Sequence, residues 1–167
     1  MDSAYPSSNQ VSAEISDWSR EAPRQFWDPG RKLLRTIRRY QVWSKRQGLL
    51  SVFIRKSLVL RYRFWSVVTG ADIPLNCQIG GGLLVPHPNG IVIHPEAKIG
   101  VNCLIFQQVT IGSREGHGVP PIGGHVDIGT GAKILGAVTI GDHARIGANA
   151  VILRDVKAFG VAVGYQG

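Results

Sequence analysis

Isoleucine recurs at every sixth position through the second half of the chain, and this period constrains the fold more than any other feature. The clearest run contains Ile122, Ile128, Ile134, Ile140, Ile146 and Ile152. Two earlier runs keep the same spacing, one from Ile73 to Val85 and one from Ile93 to Ile111. An α-helix repeats every 3.6 residues and a strand every two, so neither element alone produces a period of six.

Each six-residue unit combines a short strand with a tight corner. The residue two places before the isoleucine is small or apolar, as at Val126, Ala132 and Ala144. The residue between them is mostly polar, and this in–out–in order predicts a very short strand. The rest of the unit is rich in Gly, Asn and Asp, which tolerate the backbone of tight corners. Repeated around one buried column, such units predict a mainly β solenoid over residues 72–167.

The register of the repeat also predicts the role of the two cysteines. Cys77 and Cys103 both stand two places before an isoleucine, at the small inward position. A buried thiol in apolar surroundings has a raised pKa and is a poor nucleophile. Two cysteines at this spacing form neither a disulfide framework nor a CxxC metal-binding pair.

Charge divides the chain into two regions of different chemistry. The formal net charge is +8. Residues 1–71 hold 13 Lys and Arg against 5 Asp and Glu, whereas residues 72–167 hold 6 of each kind. We expect residues 1–19, which are polar, to be disordered until something orders them. Residues 20–71 then form a basic α-helical region ahead of the solenoid.

Two helices are predicted in the basic region. The first begins near Trp27–Gly30 and the second runs from about Leu49 to Val68. They are expected to cap the open end of the solenoid, and their positive charge also suits peripheral contact with a membrane surface. No nucleic-acid-binding motif is present. With no apolar signal core at the N-terminus, we expect a cytoplasmic protein.

Two interruptions of the repeat are the candidate functional segments, and each carries one histidine. The first is the segment 86–92 with His87, and the second is the segment 112–121 with His117. Histidine suits general-base chemistry near neutral pH because its unperturbed pKa is about 6.5. Asp72, at the start of the solenoid, is a candidate orienting partner for His87. From spacing alone, a corner histidine bonded only to backbone is an equally good interpretation of His87.

The first interruption resembles that of the serine O-acetyltransferases, which are hexapeptide-repeat acyltransferases with a left-handed β-helix. The likeness rests on Asp72-Ile73-Pro74, on His87 and on Gly90-Ile91-Val92, with the family's spacing between Asp72 and His87. A second matching stretch runs from Ile128 to Gly136. The resemblance implies a left-handed, three-sided β-helix, acetyl-CoA as cosubstrate, no metal and a homotrimer.

The resemblance also implies roles for individual residues. His87 would be the general base, Asp72 would orient it, and Asp28 would help to hold the substrate serine. Further residues implied in substrate binding are Arg114 and His117, and those implied in coenzyme binding are Gly112, Gly131, Ala132, Lys133 and Arg145.

The sequence departs from the family pattern at two places. Pro86 stands where the family has an acidic residue, and Val119 stands where it has a substrate-contacting histidine. Arg114 and His117 lie nearby in the same segment. The acceptor therefore stays open between L-serine and the hydroxyl of a sugar or polysaccharide precursor.

Two other classes of function are less consistent with the sequence. The γ-class carbonic anhydrases share the solenoid but bind zinc through histidines spaced as HxxxxH. Here the intervals are longer, from His87 to His94 and from His117 to His125. A non-catalytic solenoid that acts only in assembly would have no use for the paired Asp72 and His87.

Overall fold

The structure is a computed structural model that describes residues 11–116 and 118–167. Two packed helices come first and a parallel β-helix follows. The helical part holds a short 3-10 helix (Trp18–Glu21), α1 (Pro29–Ser44) and α2 (Leu49–Thr69). The strands are β1 (Gln78–Ile79), β2 (Val92–Ile93), β3 (Lys98–Ile99), β4 (Leu104–Ile105), β5 (Thr110–Gly112), β6 (Pro121–Ile122), β7 (Asp127–Ile128), β8 (Lys133–Leu135), β9 (Arg145–Ile146), β10 (Val151–Ile152), β11 (Val161–Ala162) and β12 (Tyr165–Gln166).

The strands form three parallel sheets, which are the three faces of a prism. Face A contains β2, β5, β8, β10 and β12, face B contains β1, β3 and β6, and face C contains β4, β7, β9 and β11. Single bridges continue the faces between strands, and the first of them pairs Asp72 with Val92. Because the chain visits the faces in turn, Lys133 pairs with Val151, three six-residue units further on. The predicted solenoid is confirmed.

The predicted isoleucine column is the core of the β-helix. None of the isoleucines that carry the repeat is more than 9% exposed. The two cysteines are buried beside them, as predicted. Burial, with a smaller effect of the Asp72 charge, raises the pKa of the Cys77 thiol to about 11. Burial raises the pKa of Cys103 to about 12. Both thiols therefore stay protonated at neutral pH and act as core side chains.

The two helices cover the first coil of the prism. The predicted helix start is confirmed, since Asp28 is the N-cap of α1 and Pro29 its first residue. Leu33, Leu34 and Ile37 of α1 and Trp65 of α2 join the hydrophobic core of the solenoid. Within residues 11–116 and 118–167, no helix combines the length and the apolar character that a membrane crossing requires.

Residues 11–21, called the strap below, lie along one corner of the prism and are held there by Asn102. The Asn102 side chain is fully buried. Its amide oxygen accepts from the Asp17 N–H at 2.8 Å, and its amide nitrogen donates to the carbonyl oxygens of Ser12 at 2.7 Å and Ile15 at 2.8 Å. A buried amide with all these partners holds the strap in one position.

The end of the strap ties α1 to the solenoid through an ion pair. Glu21 is buried and pairs with Arg38 of α1 at 2.8 Å. Arg38 also donates to the carbonyl oxygen of Gly80 at 2.6 Å, and Glu21 accepts from the Leu83 N–H at 3.1 Å. Each charged group therefore keeps several hydrogen bonds, which a buried charge requires.

The ordered strap differs from the expectation that residues 1–19 are disordered. Residues 11–19 pack on the solenoid because Asn102 supplies the hydrogen bonds that this polar stretch cannot make by itself. Residues 1–10 lie outside the described residues.

The corner that holds the strap continues into a histidine pair. Asn102, His125, His143 and Phe159 all have positive φ, between 50° and 59°, as a tight corner requires. The Nδ1 atoms of His125 and His143 are 2.8 Å apart, so one ring donates to the other. Burial is the main cause that lowers the pKa of His125, and His143 adds to it. Because His143 also stacks on Phe159, both histidines have a packing role at the corner.

We predict that Asn102→Ala releases the strap and lowers the free energy of unfolding by about 4 kcal/mol. The change removes three hydrogen bonds of about 1 kcal/mol each, and an alanine at the positive φ of Asn102 costs about 1 kcal/mol more. Denaturant unfolding measures the loss, and limited proteolysis followed by mass spectrometry shows whether cleavage moves into residues 11–21.

Asn149→Ala is the matched control because Asn149 has a similar positive φ of 56° but an exposed side chain. It therefore carries the same backbone strain, about 1 kcal/mol, without the buried hydrogen bonds. Equal losses in the two variants would show that Asn102 acts only through its backbone conformation.

Candidate active site

His87 projects from a bulge at the corner between faces C and A. In this coil five residues, 86–90, separate the inward Val85 from the inward Ile91. In the next coil only three residues, 106–108, fill the same corner. Because the inward positions stay in register, the two additional residues must bend outward, and His87 is exposed.

Both helices and the coil beneath support the bulge. At Gly30 of α1, an added methyl group would lie 2.8 Å from the Val85 carbonyl oxygen, so the two backbones are almost in contact. Gly70, the left-handed C-cap of α2, accepts a 2.8 Å hydrogen bond from the Gly90 N–H. Below, Gln108 donates to Asn89 from its backbone at 2.9 Å and from its side chain at 2.8 Å. A base on such a bulge is held by rigid elements on three sides.

A cavity of about 470 Å³ lies beside the bulge, between the start of α1 and the solenoid. Its lining comprises Arg24, Gln25, Asp28, Arg31, Leu84, Val85 and Pro86. His87 is not among the lining residues but follows Pro86 directly in sequence, so the candidate base lies at the margin of the cavity. The lining carries one carboxylate, two guanidinium groups and the amide of Gln25 opposite an apolar wall of Leu84, Val85 and Pro86.

Asp28 is held in this cavity as a carboxylate. One oxygen, Oδ2, accepts from the Arg24 N–H at 3.2 Å and from the Arg31 guanidinium at 3.1 Å. Burial acts to raise the pKa of Asp28, but the hydrogen bonds from Arg24 and Arg31 and the Arg31 charge outweigh it and leave that pKa below its usual value. Although Asp28 is the N-cap of α1, its side chain makes no capping hydrogen bond. The carboxylate therefore faces the cavity and not the helix.

Asp72 lies near the bulge, and the residue is exposed. Its backbone pairs with the strand that follows the bulge, donating to the Ile91 carbonyl oxygen at 2.8 Å and accepting from the Ile93 N–H at 2.9 Å. After burial, the Asp72 charge is the second cause that raises the pKa of Cys77 and of Tyr62. Among the described residues no hydrogen bond joins the Asp72 carboxylate to His87.

Arg114 lies at the opposite edge of face A, away from His87. It follows β5 and lines a cavity of about 390 Å³ with Leu135, Gly136, Ala137 and Leu153, among others. His87 precedes β2, at the edge where the strands of face A begin. Within one copy of the chain, Arg114 and His87 are therefore separated by the width of face A. His117, the other candidate in the second interruption, lies outside the described residues.

Most of the residues implied in coenzyme binding lie on face A. Gly131 and Ala132 already donate their N–H groups within the solenoid, to the carbonyl oxygens of Gln107 and Gly129. Lys133 donates to the Gln108 carbonyl oxygen at 2.6 Å and to the Thr110 hydroxyl at 3.1 Å. Ala132 is fully buried and its carbonyl oxygen accepts from the Thr110 N–H at 2.9 Å, so of these two residues only the half-buried Gly131 is open to a ligand. Gly112 is nearby, at the end of β5.

Arg145 lies on a different face from Lys133. It is exposed in β9 on face C and lines a cavity of about 380 Å³ with Leu104, Phe106 and Asp127, among others. One solenoid does not bring these two cations together, because a corner separates their strands. The described residues include no group of three His, Cys, Asp or Glu side chains placed to hold a metal ion.

Arg24, Gln25 and Arg31 are site residues that the sequence analysis did not identify. Arg31 follows Asp28 at the i+3 spacing of a helical ion pair, which is a signal that could have been used. Arg24 precedes the helix in an irregular segment and carries no periodic signal.

We predict that Gly30→Ala destabilises the protein by about 1–3 kcal/mol, the range of a steric clash in a packed region. Near the start of a helix with free space around it, the same change would stabilise the protein by up to about 1 kcal/mol. The sign of the stability change therefore shows whether α1 contacts the bulge. Denaturant unfolding measures the change. Gly112→Ala is the control, since its added methyl group meets nothing closer than 3.7 Å. A gain in stability for Gly30→Ala would show that α1 does not press on the bulge.

Comparison with known proteins places this chain in a family. No protein-family model matches the chain. A serine acetyltransferase from Helicobacter pylori (strain J99) is 41% identical over 115 residues, 67% of this chain and 66% of that protein. A soybean serine acetyltransferase complexed with serine superposes with a TM-score of 0.68 at 33% identity, over 81% of this chain and 55% of that one. A serine acetyltransferase in complex with CoA superposes with a TM-score of 0.67 at 29% identity, over 83% of this chain and 55% of that one.

The chain thus spans just under two thirds of the H. pylori protein and about half of each solved chain. Within that span, the agreement in sequence and fold identifies the chain as a serine acetyltransferase-like member of the left-handed β-helix, hexapeptide-repeat acyltransferases.

Proposed function

We propose that the protein transfers the acetyl group of acetyl-CoA to the hydroxyl of L-serine, forming O-acetylserine. The observation that carries the proposal is the cavity next to the His87 bulge, whose lining combines opposite charges with the apolar side chains of Leu84, Val85 and Pro86. The similarity to a solved serine acetyltransferase complexed with serine supports the choice of acceptor. The similarity to one in complex with CoA supports the choice of donor.

The charges of the cavity are complementary to a zwitterionic amino acid. Oδ2 of Asp28 is already paired, whereas Oδ1 makes no hydrogen bond within the described residues and is available to an ammonium group. Arg24 contributes a guanidinium with no side-chain partner in the described part of the chain, and such a group binds a carboxylate well. With both ends of serine held in this way, its hydroxyl would point towards the bulge.

In the proposed reaction His87 acts as general base. It takes the proton from the serine hydroxyl as the oxygen attacks the thioester carbonyl carbon. The tetrahedral intermediate then collapses, the C–S bond breaks, and the thiolate of CoA receives the proton from the imidazolium. Asp72 stabilises the imidazolium. This role requires the carboxylate to turn towards His87 when the ligands bind, because no hydrogen bond joins the two in the structure.

Coenzyme binding is proposed for face A. Gly112 and Gly131 are half-buried and allow a close approach to the backbone, which suits an extended pantetheine arm, and the buried Ala132 would support this surface from inside the solenoid. Lys133 would break its hydrogen bonds to Gln108 and Thr110 in order to bind a phosphate. Arg145, on face C, would serve a phosphate only in a neighbouring copy of the chain.

A homotrimer is part of the proposal. His87 lies at one edge of face A, and Arg114 lies at the other. A neighbouring copy that packs with its Arg114 edge against the His87 edge would complete the site. Closed cyclic symmetry then gives each copy one complete site.

Two further parts of the proposal concern the place of action. The protein would act in the cytoplasm, where acetyl-CoA is available. Its basic helical region would make peripheral contact with a membrane surface, as the excess of positive charge in residues 1–71 suggests.

We predict that His87→Ala lowers acetyl transfer to serine by about 100- to 10,000-fold, the usual contribution of a general base. The measurement is thiol release from acetyl-CoA with a panel of acceptors that includes L-serine and simple sugars. His94→Ala is the control, since His94 lies at a regular corner of the same solenoid. If thiol release occurs with sugars and not with serine, and if it depends on His87, the function is the acetylation of glycans.

We predict that Arg24→Gln raises the KM for L-serine by about tenfold or more, because a hydrogen bond between charged groups is lost. The turnover number should change little, since Arg24 does not touch the reacting atoms. Serine amide, which lacks the carboxylate, should show no such difference between wild type and variant. An equal effect of Arg24→Gln on serine and on serine amide would contradict the assigned role.

A further inference from the structure

The outward face of α2 carries an apolar stripe that nothing in the described residues covers. Five large apolar side chains form it, each between 55% and 91% exposed: Leu49, Phe53, Leu60, Phe64 and Val67. Their spacing places them on one side of the helix. The buried side chains of α2, including Leu58 and Trp65, lie on the opposite side. The stripe is therefore not needed to pack α2 onto the rest of the chain.

Positive charge surrounds this stripe without any acidic residue. Residues 29–71 contain 11 Lys and Arg and no Asp or Glu. By helical position, Lys56 and Arg63 flank the stripe on one side and Arg61 flanks it on the other. A helix that combines an apolar face with Lys and Arg at its borders is the type that lies on an anionic membrane surface.

A groove between the two helices adds a place for an anionic group. Its volume is about 580 Å³ and its lining includes Tyr40 of α1 with Arg55, Lys56 and Arg63 of α2. Leu60, from the stripe, reaches the same groove. Three cations and a phenol beside an apolar edge match a phosphate that is attached to an acyl chain.

A second copy of the chain fits this face poorly. Two stripes packed together would bring their flanking cations together, and like charges side by side disfavour such an interface. An anionic bilayer contains both components that the face requires, acyl chains for the stripe and phosphates for its basic borders.

We infer that α2 docks side-on onto a bilayer of anionic phospholipids. The stripe enters the boundary between headgroups and acyl chains, and the groove lined by Arg55, Lys56 and Arg63 receives a lipid phosphate. This inference deepens the membrane contact proposed above, and it does not depend on the chemistry at His87.

The test is flotation of the full-length protein with vesicles. Vesicles of phosphatidylcholine alone are compared with vesicles that contain about one third phosphatidylglycerol. We expect binding to the anionic vesicles, little binding to the neutral ones, and weaker binding in high salt because salt screens the cations.

Two double variants separate the apolar and the electrostatic contributions. Phe53→Gln with Leu60→Gln should weaken binding to anionic vesicles about tenfold or more, since both side chains leave the acyl boundary. Lys56→Gln with Arg63→Gln should weaken it about fivefold for each cation removed.

Matched controls come from the solenoid. Val161 and Val163 are 68% and 60% exposed, close to the 71% and 69% of Phe53 and Leu60. Val161→Gln with Val163→Gln should therefore leave vesicle binding unchanged. Lys98→Gln with Lys157→Gln is the corresponding control for charge, since both lysines are exposed.

Sedimentation velocity and the acetyl-transfer assay distinguish the other outcomes. The inference would be overturned if wild-type protein did not bind the anionic vesicles, or if the Phe53→Gln, Leu60→Gln variant bound them as well as wild type. It would also be overturned if wild type bound neither kind of vesicle and this variant sedimented as a smaller species, because the face would then be an interface between copies of the chain. Failure of acetyl transfer would remove the proposed chemistry and leave the vesicle result unaffected.

Discussion

The register of the solenoid determines where the rest of the molecule can vary. Each strand has its N–H and C=O groups paired with the coils above and below, and each coil places its isoleucines in one column. An insertion inside a strand would move every following side chain to the other side of the sheet. Additional residues can only leave the prism at a corner. The bulge with His87 and the segment with Arg114 are such departures, so the candidate chemistry is located where the repeat permits irregular backbone.

The same constraint explains how much of the structure could be predicted from sequence. The period of six defined the solenoid, the inward isoleucines and the burial of Cys77 and Cys103, because each follows from local spacing. The helix start at Asp28-Pro29 was also a local signal. The charged cavity beside the bulge was only partly predictable, since it joins Arg24 and Asp28 to Pro86 over more than fifty positions. The strap was missed for a similar reason. One buried amide, that of Asn102, orders a stretch whose own composition indicates disorder.

The structure also gives a physical meaning to the two departures from the family pattern. Pro86 forms part of the cavity wall, and its ring is an apolar surface where an acidic side chain would add a second negative charge beside Asp28. The net charge of the lining is positive as a result. Arg24 and Arg31 are the two cations of this lining, and Val119 is not part of it. The cavity is assembled from the segment before α1, the start of α1 and the coil that carries the bulge, so the acceptor binding and the general base that we propose lie on the same side of the prism.

The unequal distribution of charge has a consequence for how the molecule moves in solution. Residues 1–71, which include the helices, carry the whole of the net positive charge, and the solenoid is neutral. Such a molecule has a large electric dipole that runs from the prism towards the helices. In the field of a negatively charged surface it experiences a torque before any atoms touch, and it arrives with the helices foremost. The position of the cations along the chain therefore determines the orientation in which the molecule approaches the surface. The affinity after contact is a separate property.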